Sequence, residues 1–590
     1  MPVSEDDRPL GKRASSPDPE QAAAKKRPKR DETSDVFVLQ SPEQRLTVLE
    51  NAIAKMSERM ECVLCHEIMH EPTTLVPCLH SFCGACVKKR QNPLCPLCRG
   101  RVENESRNIY LADIIEHFLR AHPDRRSPAK VTADLERDLL AALDESSKKA
   151  VGKVVTGLVH GLVKRVTFED NMLRGPSAVP AANAVARAMA HCSSLQSLSL
   201  SSWVSIGPDC LEVIVTKGVL ASSSLWVLSL SGNQMTDVAA FALARALSEN
   251  SQQIMDLTLC SMMLSYAAGG KLAEAIKTNS TLQWLDLSRN KIRDATATKL
   301  ATSLKFNSAL RTLNLAWARI TYVGAEALAS ALMTNSTLQT LKLSSNEIED
   351  DGAKSLAEAL ESNSTCKTLD LSVNQIGNVG AEALGKAMAK DHNVLQEVNL
   401  SFNRIGDQGA QKMGKAFAKG HCTLWKLTLT GNQIGNAGAE ALGEAVANDN
   451  CALRELVLVK NEIRDVKALG GALKTNTTLQ TLDLGHNKIE TSEASQLVMA
   501  SKDNRTLTKL NLESNQICNG FTEALEKALK QNTSLLQLDL SGNQLGDACI
   551  NQLMATLRHS CLRTVWISRN HFTDEGKKLV KHPREGYVVK

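Results

Sequence analysis

The sequence is marked first by what it lacks. No apolar run approaches the roughly 20 residues that span a bilayer, and the start, Met-Pro-Val-Ser-Glu-Asp-Asp, has no apolar signal region. Both absences predict a soluble intracellular protein with reduced thiols and no membrane partner. There is no disulfide framework either. Of sixteen cysteines, seven fall in one short stretch, and the other nine, among them Cys192, Cys260, Cys366, Cys422 and Cys549, follow no spacing pattern. No Gly-Lys-Ser or Gly-Lys-Thr element could cradle a phosphate, and no nucleophile–base arrangement suggests covalent catalysis. Net charge is only +5, too small by itself to imply a specific nucleic-acid partner. Aromatic residues are 3% of the chain, so an aromatic side chain in a repeated surface position stands out.

At 590 residues the chain is too long for one compact domain, which leaves several domains or a repeat array. Residues 1–40 are rich in Pro, Ser, Glu, Lys and Ala and are expected to be disordered. Lys12-Arg13 and, further on, Lys25-Lys26-Arg27-Pro28-Lys29-Arg30 form two basic clusters similar to a two-part nuclear-import signal, which implies importin as a partner and residence in the nucleus, the cytoplasm or both. The other reading is a solvated charge run with a weak nucleic-acid contact. Ser41-Pro42-Glu43-Gln44 then has the chemistry of a helix start. Leu46, Leu49, Ile53, Met56 and Met60 follow at alternating spacings of three and four. Two such heptads are marginal for an isolated coiled coil, so the stripe reads better as a face packed on its neighbours than as a dimer seam.

Next come the clustered cysteines: Cys62-x2-Cys65, Cys78-x-His80, Cys83-x2-Cys86 and Cys95-x2-Cys98. Seven thiols and one imidazole suffice for two tetrahedral sites, hence two Zn2+. A stretch this short has little apolar core, so metal must replace it. Beyond the motif Asn108 can cap a helix carrying Leu111, Ile114, Ile115, Phe118 and Leu119 on one stripe, ended by Pro123. Two more helical patterns, around Leu135 to Leu143 and Val151 to Leu162, lead into a repeat.

From about residue 163 the pattern Leu-x-x-Leu-x-Leu-x-x-Asn recurs every 26 to 32 residues. Asn171 opens an Asn ladder that runs through Asn233, Asn290, Asn346, Asn374, Asn403, Asn432, Asn461, Asn487, Asn515 and Asn543 to Asn570. Trp203, Met262 and Ala318 stand in the same position, making fifteen units. Each unit predicts a short strand, a turn held by the Asn amide, and a helix such as Gly324 to Leu332. The Asn-Ser-Thr triplets at Asn279, Asn335 and Asn363 read as turn residues, not glycosylation acceptors.

The array resembles leucine-rich repeats of the ribonuclease-inhibitor type. That implies an α/β horseshoe, with a parallel sheet inside and helices outside, used to bind protein partners. On its strand face Trp284, Asp286, Arg289 and Trp317 are the candidate substrate-binding cluster. The zinc motif resembles the RING family, a small two-zinc cross-brace domain. By that resemblance Cys62, Cys65, Cys83 and Cys86 hold one ion, and Cys78, His80, Cys95 and Cys98 the other. The resemblance further implies a ubiquitin-protein ligase without a covalent intermediate, with a ubiquitin-conjugating enzyme and ubiquitin as partners. Leu64 and Pro96 match the surface that grips the conjugating enzyme. Arg99 matches the linchpin that holds its ubiquitin thioester ready for attack. An aromatic common after the sixth ligand is missing, where the chain reads Val87-Lys88-Lys89-Arg90. The motif and Asn108 to Asp124 are most similar to the RING of checkpoint ligases that join a forkhead-associated domain to a RING. That likeness ends near residue 125 and does not carry the checkpoint role.

The expected organisation is a disordered basic tail (1–40), a helix (41–60), the zinc domain (61–101), a helical linker (102–160) and the repeats (161–590). The function expected is a RING-type ligase whose repeats bind a protein substrate. The alternative is a non-catalytic zinc-stabilised scaffold or inhibitor that acts through the repeats alone.

Overall fold

The computed structural model describes residues 60–62, 64, 67–69, 72–76, 79, 81–89, 94–99, 101–107, 111, 114–115, 128–141, 143, 145–167, 178–200, 206–448, 451–580 and 588–589. The basic tail with Lys12, Arg13, Lys25, Lys26, Arg27, Lys29 and Arg30 lies outside them. So do the 41–60 helix except Met60, and the turn positions Asn171 and Trp203. The chain divides into two compact units, Met1–Pro128 and Ala129–Lys590.

In the first unit β1 (Glu61–Cys62) and β2 (Glu67–Ile68) form an antiparallel ladder in which Cys62 stands opposite Glu67. Leu64 sits in the turn between them. The strand β3 (Pro72–Val76), whose Thr-Thr-Leu-Val run suits a half-buried pleated surface, is the centre of an antiparallel sheet. It pairs with β4 (Ser81–Cys83) on one side and β5 (Asn104–Arg107) on the other. The short helix α1 (Gly84–Lys88) follows β4 directly. The core is small: Met60, Met69, Leu75, Phe82, Val87, Cys95 and Ile115, with Leu111 packed at its edge. Leu111 and Ile115 are thus the inward pair of the helix after the motif. Ile114, which the stripe places beside them, is 52% exposed. One turn of helix separates residues four apart, while a neighbour is rotated by roughly 100°.

Among the described residues the second unit is built on one sheet of sixteen parallel strands in chain order, from Arg165–Thr167 to Val588–Val589. Strand pairs stand in register with the central leucines opposite one another: Leu285, Leu313, Leu341 and Leu369 follow across four strands. These leucines, and those two residues further on such as Leu287, Leu315 and Leu343, are buried. Each contributes about 1.5–3 kcal/mol of apolar burial. The sixteenth strand, Val588–Val589, lies beyond the fifteen units of the leucine ladder and pairs with Thr564–Trp566. At the other end α2 (Pro128–Ala141), α3 (Glu145–Val159) and the connection between them pack into the same continuous core through Leu135, Leu139, Leu143, Val151, Val155 and Leu158. The segment with linker patterning therefore supplies the first layer of the repeat stack. Glu136 ties the two helices, accepting from Thr156 Oγ1 at 2.6 Å and pairing with His160 Nε2 at 2.8 Å. The Thr156 bond, ahead of His160, holds the Glu136 carboxyl below the usual range.

Three side-chain ladders link the repeats. In the first, Asn290 Nδ2 donates to Leu259 O and Leu287 O, while its Oδ1 accepts from Met262 N and Leu264 N. The recurrent Asn thus closes the turn of the preceding repeat. In the second, buried Asn335 donates to Leu304 O and Asn307 O, and Asn363 does the same one repeat on. Asn279, Asn335 and Asn363 are accordingly interior turn residues.

The third ladder caps helices. Asp294 Oδ1 accepts from Thr321 N and Gly324 N of the next repeat, and Asp350 Oδ1 from Gly377 N and Gly380 N, both at 2.8 Å. Asn378 and Asp407 do likewise for the two helices that follow. Gly380 permits this approach, since a Cβ there would lie 2.7 Å from Asp350 Oδ1.

Among the described residues the one just before the ladder position is left-handed, which lets its N–H reach the turn of the next repeat; Arg289 N, for example, donates to Ala316 O at 2.8 Å. Glycine fills this position at Gly431 and Gly542, but Arg289, Trp317, Val373 and Phe402 also adopt φ of 54–57° there. A side chain in that conformation costs roughly 1–2 kcal/mol.

Candidate functional site

Two regions carry the sequence-predicted site residues. In the first unit the hairpin turn presents Leu64, 43% exposed. Pro96 and Arg99 are exposed on the loop that carries Cys95 and Cys98. That loop is wound into a single turn by the bond from Arg99 N to Cys95 O at 2.8 Å, with Arg99 itself left-handed at φ 58°. The segment around Leu75 repeats the device: Leu79 N donates to Leu75 O at 2.7 Å and Leu79 has φ 56°. Turns of this kind bring residues three apart, such as Cys95 and Cys98, to one side of the chain.

Cys62 lies on β1, Cys83 ends β4 and Cys86 is on α1. Cys65, Cys78 and His80 lie outside the described residues, as do the side chains of Cys62 and Cys83. Among the described residues no three metal-binding side chains converge. The backbone placement nevertheless suits the donor set. Thiol pairs bracket a hairpin turn, a strand-to-helix junction and a single-turn loop, and each is a compact knuckle of the kind a tetrahedral thiolate–imidazole site uses.

Val87, the first residue of the stretch in which the family resemblance leads one to expect an aromatic, is buried in the small core at 3% exposure. Lys88 and Lys89 are exposed. Sequence reasoning passed over Leu79 and Leu97, exposed at 71% and 51%. Their signal was available: each adjoins a cysteine of the zinc-finger motif, where an apolar side chain between closely spaced motif residues has little room to turn inward.

In the repeat unit Trp284 and Asp286 flank Leu285 on one strand, and Arg289 and Trp317 occupy the left-handed position in consecutive repeats. The Arg289 guanidinium lies over the Trp317 ring, 5.4 Å from its centre, and Lys342 Nζ lies 5.6 Å from that of Trp284. Such stacking is worth about 0.5–1 kcal/mol at an exposed site. Asp286 is committed internally: Oδ1 accepts from Ser288 N at 2.8 Å and Oδ2 from Asn314 Nδ2 at 2.9 Å. It shapes the turn after its strand, as Asp370 and Asp539 do in theirs. Burial raises the carboxyl of Asp256 on the adjacent strand, a bond from Thr258 opposes the shift, and the charge of Asp286 adds to it. The apolar side chains Trp226, Val227 and Met255 stand exposed at the starts of the two strands before Trp284. Trp226 and Met255 immediately precede their strands, outside the Leu-x-Leu positions, while Val227 stands in register with Trp284.

Comparison with known proteins agrees with both regions. Residues 62–98 match the family described as zinc finger, C3HC4 type (RING finger), and ten segments between residues 221 and 548 match the leucine-rich repeat. The chain therefore carries a RING finger followed by leucine-rich repeats. The human E3 ubiquitin-protein ligase CHFR is 38% identical over 73 residues, which are 12% of this chain and 11% of that protein. The E3 ubiquitin-protein ligase rnf8-A of Xenopus laevis is 28% identical over 106 residues, 18% of this chain and 19% of the relative. The similarity to these curated relatives thus spans less than a fifth of their length. Among solved structures, a leucine-rich-repeat protein of Leptospira interrogans aligns with 74% of this chain and 98% of its own at 18% identity and a TM-score of 0.43. No described helix is long and apolar enough to cross a membrane.

Proposed function

We propose that the chain is a RING-type ubiquitin-protein ligase. The observation that carries this reading is the joint exposure of Leu64, Pro96 and Arg99 on the zinc-motif loops, in a segment whose relatives are named ubiquitin ligases. Two Zn2+, one on Cys62, Cys65, Cys83 and Cys86 and one on Cys78, His80, Cys95 and Cys98, would hold those loops and take no part in bond making. Leu64 and Pro96 give a rigid apolar seat for a ubiquitin-conjugating enzyme. Arg99, aimed outward by its left-handed turn, offers a planar fork of donors that can bridge that enzyme and its bound ubiquitin. Rate acceleration then comes from holding the thioester in an attack-ready geometry, with no group of this chain forming a covalent bond. The repeats bind the protein substrate, with Trp284, Asp286, Arg289 and Trp317 as the proposed contact cluster. The paired clusters Lys12-Arg13 and Lys25 to Arg30 direct import through importin.

The test is reconstitution with activating enzyme, a panel of conjugating enzymes, ubiquitin and ATP. Wild type should build ubiquitin chains, and Leu64→Ala and Arg99→Ala should each reduce them about tenfold or more. Chains formed equally by all three proteins, or by none with any conjugating enzyme, would reject the ligase reading in favour of a binding scaffold.

A further inference from the structure

Past the ends of two neighbouring strands the turns carry Arg289, Lys291, Arg293, Trp317 and Arg319, all exposed. Their placement follows from the register. Arg289 N bonds to Ala316 O and Arg293 N to Ala318 O, so the two turns lie side by side. Among the described residues none of the four cations is in an ion pair. The one carboxylate within these turns, Asp294, is consumed by Thr321 and Gly324 of the next repeat. The patch is also bounded. The next repeat presents Glu347 and Glu349 at the corresponding positions, and the preceding one presents Ser261 and the 77%-exposed Met263.

Four of the five residues, Arg289, Arg293, Trp317 and Arg319, have φ of 56–57°, a conformation that glycine would adopt without strain. The same backbone conformation recurs at the corresponding positions of other repeats whatever the side chain, so what sets this edge apart is that its side chains are three arginines and a tryptophan. The Arg289 guanidinium lies 5.4 Å from the centre of the exposed Trp317 ring, and a guanidinium beside an aromatic face keeps donors that can take a carboxylate in a bidentate pair.

We infer that this edge docks an unmodified acidic protein segment carrying an apolar side chain among its carboxylates. The inference rests on the proposed role of the repeats as the protein-binding arm and adds the chemistry of what they bind. The cations are spread over two repeats and do not converge on one point, which fits several carboxylates better than a single phosphate dianion. Trp317 and Met263 offer the apolar contact. A nucleic-acid backbone continuing along the edge would run into Glu347, Glu349 and Asp351.

The test uses the full chain and fluorescence anisotropy with three labelled probes: a short peptide alternating glutamate and leucine, the same peptide with glutamine for glutamate, and a mixed-sequence single-stranded RNA. Wild type should bind the glutamate peptide about tenfold more tightly than the glutamine peptide, and R289E/R319E should remove that preference. Arg289→Gly and Trp317→Gly should weaken binding while thermal unfolding stays at or above the wild-type temperature. Equal affinity for both peptides overturns the inference, as does an unchanged preference in R289E/R319E. So does tighter binding of the RNA, or glycine variants that unfold earlier yet bind as wild type. Binding is read with no conjugating enzyme or ubiquitin present. Failure of ubiquitin transfer and failure of peptide capture are therefore separate results.

Discussion

The zinc unit and the repeat unit stabilise themselves by opposite means. The first has a core of a few side chains gathered around Leu75 and Phe82, on strands of two to five residues. The second has one core that runs without a break from Leu135 to Ile567. In the first, on the proposed function, order would depend on metal ligands brought together from distant points of a short chain. In the second, every strand and helix meets only its neighbours, and stability accumulates layer by layer. The difference shows that exposed apolar side chains mean different things in the two places. Leu64 and Leu97 are exposed because a small core has no room for them, while Trp317 is exposed at a position where glycine would be easier.

The contrast can be broken most decisively by removing metal. Chelation should unfold the zinc unit, abolish ubiquitin transfer and leave the repeats intact. Hydrogen exchange would then show lost protection at Leu75 and Phe82 and unchanged protection at Leu341; loss at all three would mean the units are not independent. A smaller effect is expected from Leu341→Ala, which opens a cavity in a fully buried layer and should cost about 2–5 kcal/mol in urea unfolding. Leu64→Ala, at an exposed site, should leave unfolding unchanged. Asn346→Ala should cost about 1–3 kcal/mol, because Leu315 O and Leu343 O lose a buried donor. Val373→Gly should stabilise the repeats by about 1 kcal/mol by relieving a β-branched residue at φ 57°. The smallest effect concerns pH. Folding raises the Asp256 carboxyl above its unfolded value, so its ionisation opposes folding, and the penalty develops as pH rises through the unfolded value toward the folded one. Asp256→Asn should therefore raise the thermal midpoint at neutral pH, with the gain shrinking in acid.

Most of this architecture was legible in the sequence where one residue type has one job. Cysteine spacing marked the zinc motif, and alternating leucines with a following Asn set the strand register and the turn. Other features were hidden for physical reasons. Val588–Val589 forms a strand by pairing with Thr564–Trp566 and has no Leu-x-Leu of its own. Asp350 and Gly380 are partners thirty residues apart, and Asn378 serves the role as well as an aspartate, so no fixed letter repeats. The left-handed position accepts Arg, Trp, Val, Phe, Ser or Gly, because it is dictated by a backbone bond to the next strand and not by its side chain. The leucine spacing places Asp286 on the strand face but does not reveal that both its oxygens accept hydrogen bonds within the protein.

The helix-capping ladder gives the stack a direction. Each carboxylate or amide serves the helix of the repeat that follows it, while each ladder Asn serves the turn of the repeat before it. Where both ladders are present, as between the repeats of Asp350, Asn378 and Asp407, neighbours exchange different groups across the boundary, and a break leaves bare helix N–H groups on one side and unclosed turns on the other. Removing repeats from the two ends should not be equivalent. A new first repeat would begin with an uncapped helix, whereas a new last repeat would keep its cap and lose the Asn that closes its turn. A whole repeat can be lost or duplicated without penalty only when the cut falls at the same phase in both copies, so the period itself is what the exchange protects.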